Sequence, residues 1–171
     1  NDFGSLADAG TVYCAKCNNV SYKDMNLSHY NYHGVYFFNT TNSSVNNVTA
    51  NSNIFGIYLE RSSNNTLTNI TTTSNTYGIY FTTNSTNNNI KDGNISSSSY
   101  DVYAASTSIN NVLTNCTYVL AKESINSGST IIRRWYYQAY VNDSNSIAVS
   151  NANVTGYDVF GSQDFRIVTN S

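Results

Sequence analysis

Residues 56–81, GIYLERSSNNTLTNITTTSNTYGIYF, begin and end on the same short motif. Gly56-Ile57-Tyr58-Leu59 returns one repeat later as Gly78-Ile79-Tyr80-Phe81, and related tetrapeptides begin at Thr11, Gly34 and Asp101. The steps between successive motifs are 23, 22, 22 and 23. A repeat this short has room for two or three strands and their bends, so it predicts stacked coils of β-structure.

A second apolar column repeats in phase with the first. Its members are Val45, Leu67, Ile90 and Val112, at steps of 22, 23 and 22, and a third column pairs Val48 with Ile70. Within one motif the side chains of a strand alternate, so Ile57 and Leu59 are expected to point inward and Tyr58 outward. The sequence therefore predicts an all-β fold: a parallel β-solenoid of about five coils over residues 1–123.

Polar bends separate the predicted strands. Asn47, Asn69 and Asp92 each follow shortly after the second column, and we expect their side chains to hydrogen-bond along the solenoid axis. The glycine before each motif is expected to supply an unusual backbone angle or a close approach. Asp101 replaces it in the last coil, where we expect the bend to change shape.

The composition argues against nucleic-acid binding and against a membrane span. Charged residues make up 11% of the sequence and the formal net charge is −2, so no positive field for nucleic-acid binding is expected. No apolar run approaches the roughly 20 residues that a membrane span needs. The first residues, Asn1-Asp2-Phe3-Gly4, read as part of a processed or excised chain and not as a signal peptide.

Twelve Asn-x-Ser/Thr sequons indicate an exported chain with covalent N-glycans. They begin at Asn19, Asn26, Asn39, Asn42, Asn47, Asn64, Asn69, Asn84, Asn94, Asn115, Asn142 and Asn153.

The Gly-Ile-Tyr-Leu/Phe units, with Asn-Asn-Thr-Leu-Thr-Asn-Ile between them at 64–70, resemble the right-handed parallel β-helix repeats of pectin-lyase-like folds. The resemblance is closest to Asn-rich archaeal cell-surface proteins and to periplasmic copper-binding-type repeats, and it covers about residues 10–123. It implies a right-handed parallel β-helix. It leaves function open, because this architecture hosts lyases, hydrolases, adhesins and passive envelope proteins.

Residues 124–171 have a different sequence pattern from the repeats. Short strand-like runs are separated by Asn, Asp, Ser and Gly, and they resemble the opening strands of immunoglobulin-like modules. The segment is short for a complete sandwich of about 100 residues. We expect a connector, in which Phe165 and Ile167 belong to a strand donated to a neighbour, or else a cap folded on its own solenoid.

Catalytic groups are sparse in the sequence. Asp101 and Glu123, one repeat apart, are candidates for stacked carboxylates that bind Ca²⁺ or share a proton, although two solvated turn residues explain them as well. The polygalacturonase-type strings are missing, since Tyr32-His33-Gly34 and Arg166-Ile167-Val168 depart from them. We expect no enzyme, no catalytic residue and no cofactor.

Cys14, Cys17, His29 and His33 follow C-x₂-C-x₁₁-H-x₃-H, a zinc-like ligand spacing that with Met25 could also suit a soft metal. The competing interpretation places Cys14 in the inward column as a small apolar residue. Three cysteines leave at least one unpaired, so Cys116 and one N-terminal cysteine are candidates for a bridge between subunits. A reduced, buried Cys14 and a local Cys14–Cys17 bridge are the alternatives.

An outward tyrosine column is the remaining feature: Tyr13, Tyr36, Tyr58, Tyr80 and Tyr103. It is expected to stack as a ladder, to pack against a subunit, or to bind glycans. The sequence as a whole predicts a structural subunit of an extracellular layer, sheath or fibre. The expected partners are identical subunits in a homopolymer joined through solenoid edges. A carbohydrate-active or glycan-binding β-helix is the alternative.

Overall fold

The structure is a computed structural model that describes residues 2–3, 10–136, 140–157 and 162–169. It divides into two compact units, Asn1–Trp135 and Tyr136–Ser171. No helix in the described part of the chain has the length and apolar character that crossing a bilayer requires.

In its described residues the first unit is a β-solenoid with one short 3₁₀ turn at Leu120–Lys122. Its strands are β1 (Asp2–Phe3), β2 (Val12–Ala15), β3 (Ser21–Asn26), β4 (His33–Phe38), β5 (Ser44–Thr49), β6 (Phe55–Glu60), β7 (Thr66–Thr82), β8 (Asn89–Lys91), β9 (Asn94–Ala104), β10 (Asn111–Thr114), β11 (Glu123–Ile125) and β12 (Ile131–Arg134). These strands pair in parallel, which confirms the predicted parallel β-helix.

The strands stack on two main faces of the solenoid, and a third, shorter row pairs the middle of β7 with the start of β9. One face carries β2, β4, β6, the end of β7, the end of β9 and β11. The other carries β1, β3, β5, the start of β7, β8, β10 and β12. The first face therefore has six rungs, one more than the five predicted coils, because β11 extends the stack.

The predicted inside–outside assignment is confirmed. Ile57 and Leu59 are fully buried, while Tyr58 between them is only half-buried. Each inward residue lies on its equivalent in the next coil, as Ile57 does on Ile79 and Leu59 on Phe81. The core is thus a set of apolar stacks that no coil could bury alone.

One column was predicted one residue out of register. Ile90 pairs with Leu113, which is buried, and Val112 pairs with Asn89. The step from Ile90 is therefore longer by one than predicted. Side chains alternate in a strand, so the shift turns Val112 away from the core.

The glycines before the motifs permit close packing, not unusual backbone angles. A Cβ on Gly34 would lie 2.5 Å from the Cβ of Ala50, and one on Gly56 would lie 2.8 Å from the carbonyl oxygen of Gly78. The left-handed backbone conformations instead belong to the bends, where asparagine tolerates them; Asn47 and Asn69 both have φ of 53°.

Hydrogen bonds between outer bends run along the axis, as expected for Asn47 and Asp92. Nδ2 of Asn47 donates to Oδ1 of Asp24 in the preceding coil at 2.7 Å. Nδ2 of Asn115 donates to Oδ1 of Asp92, also at 2.7 Å. Both bonds are exposed, so water competes with them and their net contribution to stability is modest.

Buried polar ladders also follow the axis, and two of them show the pattern. Asn65, Asn88 and Asn111 form one, in which the backbone N–H of Asn65 donates to Oδ1 of Asn88 at 3.1 Å, and that of Asn88 to Oδ1 of Asn111 at 3.1 Å. Serines form the other: Ser62 N–H donates to Ser85 Oγ at 3.2 Å. These side chains satisfy backbone groups that the sharp bends leave without a strand partner.

The solenoid continues beyond the predicted boundary after Glu123. β11 pairs with β9 and β12 with β10, so parallel pairing extends to Arg134. The second unit holds an antiparallel pair, β13 (Asn153–Tyr157) and β14 (Gln163–Val168). Ile167 pairs with Val154 and Phe165 with Gly156, so the predicted donor strand already has a partner in its own chain.

Candidate functional site

An aromatic surface covers the face formed by β2, β4, β6 and the ends of β7 and β9. We call it the aromatic face and define it by two outward columns. The first column holds His33, Phe55, Tyr77 and Tyr100. The second holds Tyr13, Tyr36, Tyr58, Tyr80 and Tyr103.

Most rings of the aromatic face stack on a neighbour along the axis, whereas Tyr36 meets Tyr58 edge to face at 82°. The ring centroids of Tyr58 and Tyr80 lie 5.1 Å apart and those of Tyr80 and Tyr103 4.6 Å apart, both pairs at 20° between planes. Phe55 and Tyr77, in the other column, are 5.0 Å apart at 15°. Because neighbours cover many of the ring faces, the surface consists mainly of ring edges and hydroxyl groups.

Burial raises the pKa of three tyrosine hydroxyls of this face, those of Tyr36, Tyr58 and Tyr80. Burial raises the pKa of Tyr80 to about 12, with a smaller effect from Tyr103 and Tyr58. Burial also raises the pKa of Tyr36, whose hydroxyl donates to Oε2 of Glu60 at 2.7 Å. Burial lowers the pKa of His33, which favours the neutral imidazole. The face is therefore nearly uncharged, with the Glu60 carboxylate held by a hydrogen bond.

All twelve sequon asparagines are exposed, which the pattern of residues alone did not establish. Ten of them fall in the first unit. They lie at two kinds of bend: the bend that follows the aromatic face and the bend that follows the strands of the opposite face. No sequon asparagine occurs in 10–18, 27–38, 48–63, 70–83 or 95–114, the segments that contain the aromatic face.

Buried asparagines show the reverse pattern. Asn53, Asn65, Asn75, Asn88 and Asn111 are buried and hydrogen-bonded, and none begins a sequon. The chain thus separates two uses of asparagine by position in the coil. The inner asparagines build buried ladders, and the outer ones are exposed, where some amide nitrogens, such as those of Asn47 and Asn115, form exposed hydrogen bonds along the axis.

The zinc-like spacing does not become a metal centre. Cys14 and Cys17 form a local disulfide with Cα atoms 5.8 Å apart, so their sulfurs are not thiolate ligands. His33 stacks on Phe55 at 5.4 Å within the aromatic face, and His29 Nδ1 contacts the carbonyl oxygen of Ser28 at 2.7 Å. Across the described ranges, no three His, Cys, Asp or Glu side chains lie close enough to share an ion.

The predicted carboxylate stack is also wrong in register. Glu123 pairs with Val102 and not with Asp101. Asp101 is fully buried, and its two oxygens accept the backbone N–H groups of Ser97 at 2.7 Å and Val119 at 2.9 Å. It is therefore not a solvated turn residue either.

Glu123 belongs to a different group. Its carboxylate accepts the hydroxyl of Tyr118 at 2.6 Å and forms a salt bridge with Arg133. The salt bridge joins β11 to β12, so it fastens the last rung of the solenoid.

Cys116 is the one described cysteine outside the disulfide, and its side chain is 2% exposed. Its thiol contacts the carbonyl oxygens of Thr114 and Ile90 at 3.5 and 3.6 Å, and burial raises its pKa. A buried thiol with a raised pKa is unreactive. The bridge expected between subunits is therefore replaced by a local disulfide and a core thiol.

Sequence reasoning found only half of the aromatic face. It identified the tyrosine column but missed the column of His33, Phe55, Tyr77 and Tyr100, although its members recur at steps of 22, 22 and 23. Next to this column an open groove of about 370 Å³ follows the bend, lined by Tyr30, Asn31, Ile54 and Thr76 among others.

Six parallel rungs, apolar stacks and polar ladders define the first unit as a parallel β-helix repeat protein. Residues 4–136 match the family model described as periplasmic copper-binding protein (NosD), and the chain belongs to that family. No curated protein and no solved structure matches it.

Proposed function

We propose that this chain is a non-enzymatic, N-glycosylated structural β-helix of the cell envelope, acting as a subunit of an extracellular layer, sheath or fibre. The observation that carries the proposal is the one-sided placement of the sequons. Every sequon asparagine is exposed, and those of the first unit avoid the segments that form the aromatic face. A protein that packs against its neighbours at the cell surface needs a side without glycans for that contact, and the aromatic face is such a side.

The polar groups of the coil support a structural role. Asp101 uses both carboxylate oxygens on backbone N–H groups, and Glu123 uses its own on Tyr118 and Arg133. Groups bonded this way hold the fold together and are poorly placed to transfer protons to a substrate. We therefore extend the proposal to the absence of catalysis.

Copper binding does not carry over from the family's description. Copper sites use cysteine thiolates, methionine sulfur and imidazole. In this chain Cys14 and Cys17 are joined to each other, Met25 is 3% exposed in the core, and His33 is stacked between rings. These donors do not converge, so we assign no copper role to them.

Carbohydrate binding is the second function considered for this fold. Sugar rings pack against the open faces of aromatic side chains, whereas Tyr58, Tyr80 and Tyr103 cover one another's faces. The ring geometry therefore favours packing against protein over a sugar platform.

Glycan mapping tests the proposal. The native chain is digested and the sequon peptides are weighed before and after enzymatic removal of N-glycans. We expect occupied sites among the exposed bends, for example at Asn42 and Asn64, together with higher-order assemblies in electron micrographs of the native material. Unmodified sequons throughout, or native material that is monomeric at all concentrations, would contradict the proposal.

A further inference from the structure

We propose that the aromatic face is the surface through which two copies of this chain associate, face to face. The inference rests on the proposed structural function and names the contact that the function requires. It takes the place of the disulfide bridges expected from the sequence, and it adds a lateral surface to the solenoid edges that a layer or fibre also needs, because a two-fold pair closes on itself.

The first argument is steric. An N-glycan is bulky and hydrated, so a protein surface cannot pack closely over occupied sequons. The segments 10–18, 27–38, 48–63, 70–83 and 95–114 are free of sequon asparagines. They contain the aromatic face and the bend that precedes it in each coil, so occupied sequons border this face, with Asn39 and Asn84 just beyond its strands, and do not stand on it.

The second argument is size. Five rungs about 4.8 Å apart, each about 20 Å long, give the aromatic face a flat area of about 500 Å². The adjoining bare bend, with Tyr30 91% and Tyr32 62% exposed, enlarges it. Together they approach the area of a standard protein interface, which is about 800 Å² per partner.

The third argument is chemical. A partner must accept a surface of ring edges and neutral hydroxyls with almost no charge, and tyrosine is enriched in such interfaces. A tyrosine hydroxyl both donates and accepts, so a second aromatic face is complementary to the first. Closed two-fold pairing of identical patches is also the commonest form of protein oligomer.

The test measures association of the full chain by sedimentation equilibrium, with N-glycans present and after their removal. The central variant is Tyr58→Lys, which places a cation in the middle of the aromatic face. The matched control is Thr68→Lys, on the outward column of the opposite face, where the next coil already has Lys91 as the partner of Thr68.

A second variant distinguishes loss of association from loss of folding. Tyr80→Asn creates a sequon with Thr82, so a glycan added there would stand on the aromatic face. Its association is compared before and after glycan removal from the same molecule, which keeps the fold constant. Urea unfolding of each variant verifies that the solenoid is intact.

We expect the wild-type chain and Thr68→Lys to dimerise alike, and Tyr58→Lys to weaken dimerisation at least tenfold. Glycosylated Tyr80→Asn should be monomeric and should regain association when its glycan is removed. If folded Tyr58→Lys dimerises like the wild type, the aromatic face is not the interface, although the proposed function survives. If the wild type is monomeric and instead binds oligosaccharides in a manner that Tyr58→Lys abolishes, a carbohydrate and not a second copy occupies the face.

Discussion

The carboxylate of Asp101 accepts the backbone N–H of Ser97 at 2.7 Å, and in doing so it continues a ladder that asparagines build in the earlier coils. Two coils before, Oδ1 of Asn75 accepts the N–H of Asn53 at 2.8 Å. Ser97 pairs with Asn75 in the sheet, and its own N–H needs an acceptor too. Asp101, in the place of the motif glycine, supplies that acceptor.

Asp101→Ala should therefore destabilise the solenoid. It leaves the buried N–H of Ser97 and the part-buried N–H of Val119 without their acceptors, and a buried N–H without an acceptor costs about 1–3 kcal/mol. Urea unfolding should show a loss of about 3 kcal/mol, while Asp101→Asn, which retains one acceptor oxygen, should lose less. An Asp101→Ala midpoint equal to that of the wild type would contradict this role.

The inner asparagine ladder gives a second prediction. Asn88→Ala removes the acceptor of Asn65 N–H and the donor to the carbonyl oxygen of Ser62. Both groups are buried, so we expect a loss of about 2–4 kcal/mol in the free energy of unfolding. The exposed Asn46 provides the control, since Asn46→Ala should change stability by less than about 0.5 kcal/mol. Equal losses in the two variants would mean that the ladder adds no stability.

The core columns were predictable because alternation in a strand is a local property. Ile57 and Leu59 alternate with Tyr58 along the chain, so the two-residue period of a strand identifies them as inward residues. Val112 and Leu113 are both apolar, and only pairing with Ile90 decides which is inward. The repeat has two lengths that differ by one, and this left the choice open.

The buried asparagines were hidden for a different reason. Asn64 and Asn65 are adjacent and chemically identical, yet one is exposed and the other fully buried. What separates them is the direction of each side chain at a bend with positive φ at Asn64. Polarity predicts that both are outside, so the ladders and the role of Asp101 could be recognised only in three dimensions.

An inside–outside comparison forms the third prediction. Ile79 is fully buried, and Ile79→Asp places a carboxylate in the apolar stack between Ile57 and Val102. A loss of several kcal/mol is expected, and the protein should be unfolded or aggregated at physiological temperature. Thr68→Asp, on an outward position of the opposite face, should melt within a few degrees of the wild type. A folded Ile79→Asp variant with unchanged melting would refute the assignment of Ile79 to the core.

The cysteines give the fourth prediction. Non-reducing electrophoresis should show no disulfide-linked multimers, because Cys14 is joined to Cys17 and Cys116 is buried. Thiol titration should find one reactive group per chain in denaturant and almost none in the native state. Multimers that dissociate into single chains on reduction would contradict this prediction and would support the disulfide between subunits that the odd number of cysteines suggested.

The tyrosine ladder predicts a loss of stability in alkali. Burial raises the pKa of Tyr80 to about 12 in the folded chain, whereas an unfolded tyrosine ionises near its ordinary pKa of about 10. Below about pH 10 both states are protonated, so the stability that Tyr80 contributes is fully present. Between about pH 10 and 12 the unfolded state loses its proton first, so the free energy of unfolding falls as pH rises.

Thermal melts from pH 8 to 12 should show this decline in stability, and Tyr80→Phe should make the decline less steep. Burial also raises the pKa values of Tyr36, Tyr58 and Tyr118, so absorbance of tyrosinate should show several late-titrating groups in the folded wild type and one fewer, that of Tyr80, in Tyr80→Phe. If that group instead ionises near pH 10 in the folded wild type, the ring is solvated and the close stacking of Tyr80 on Tyr58 and Tyr103 is wrong.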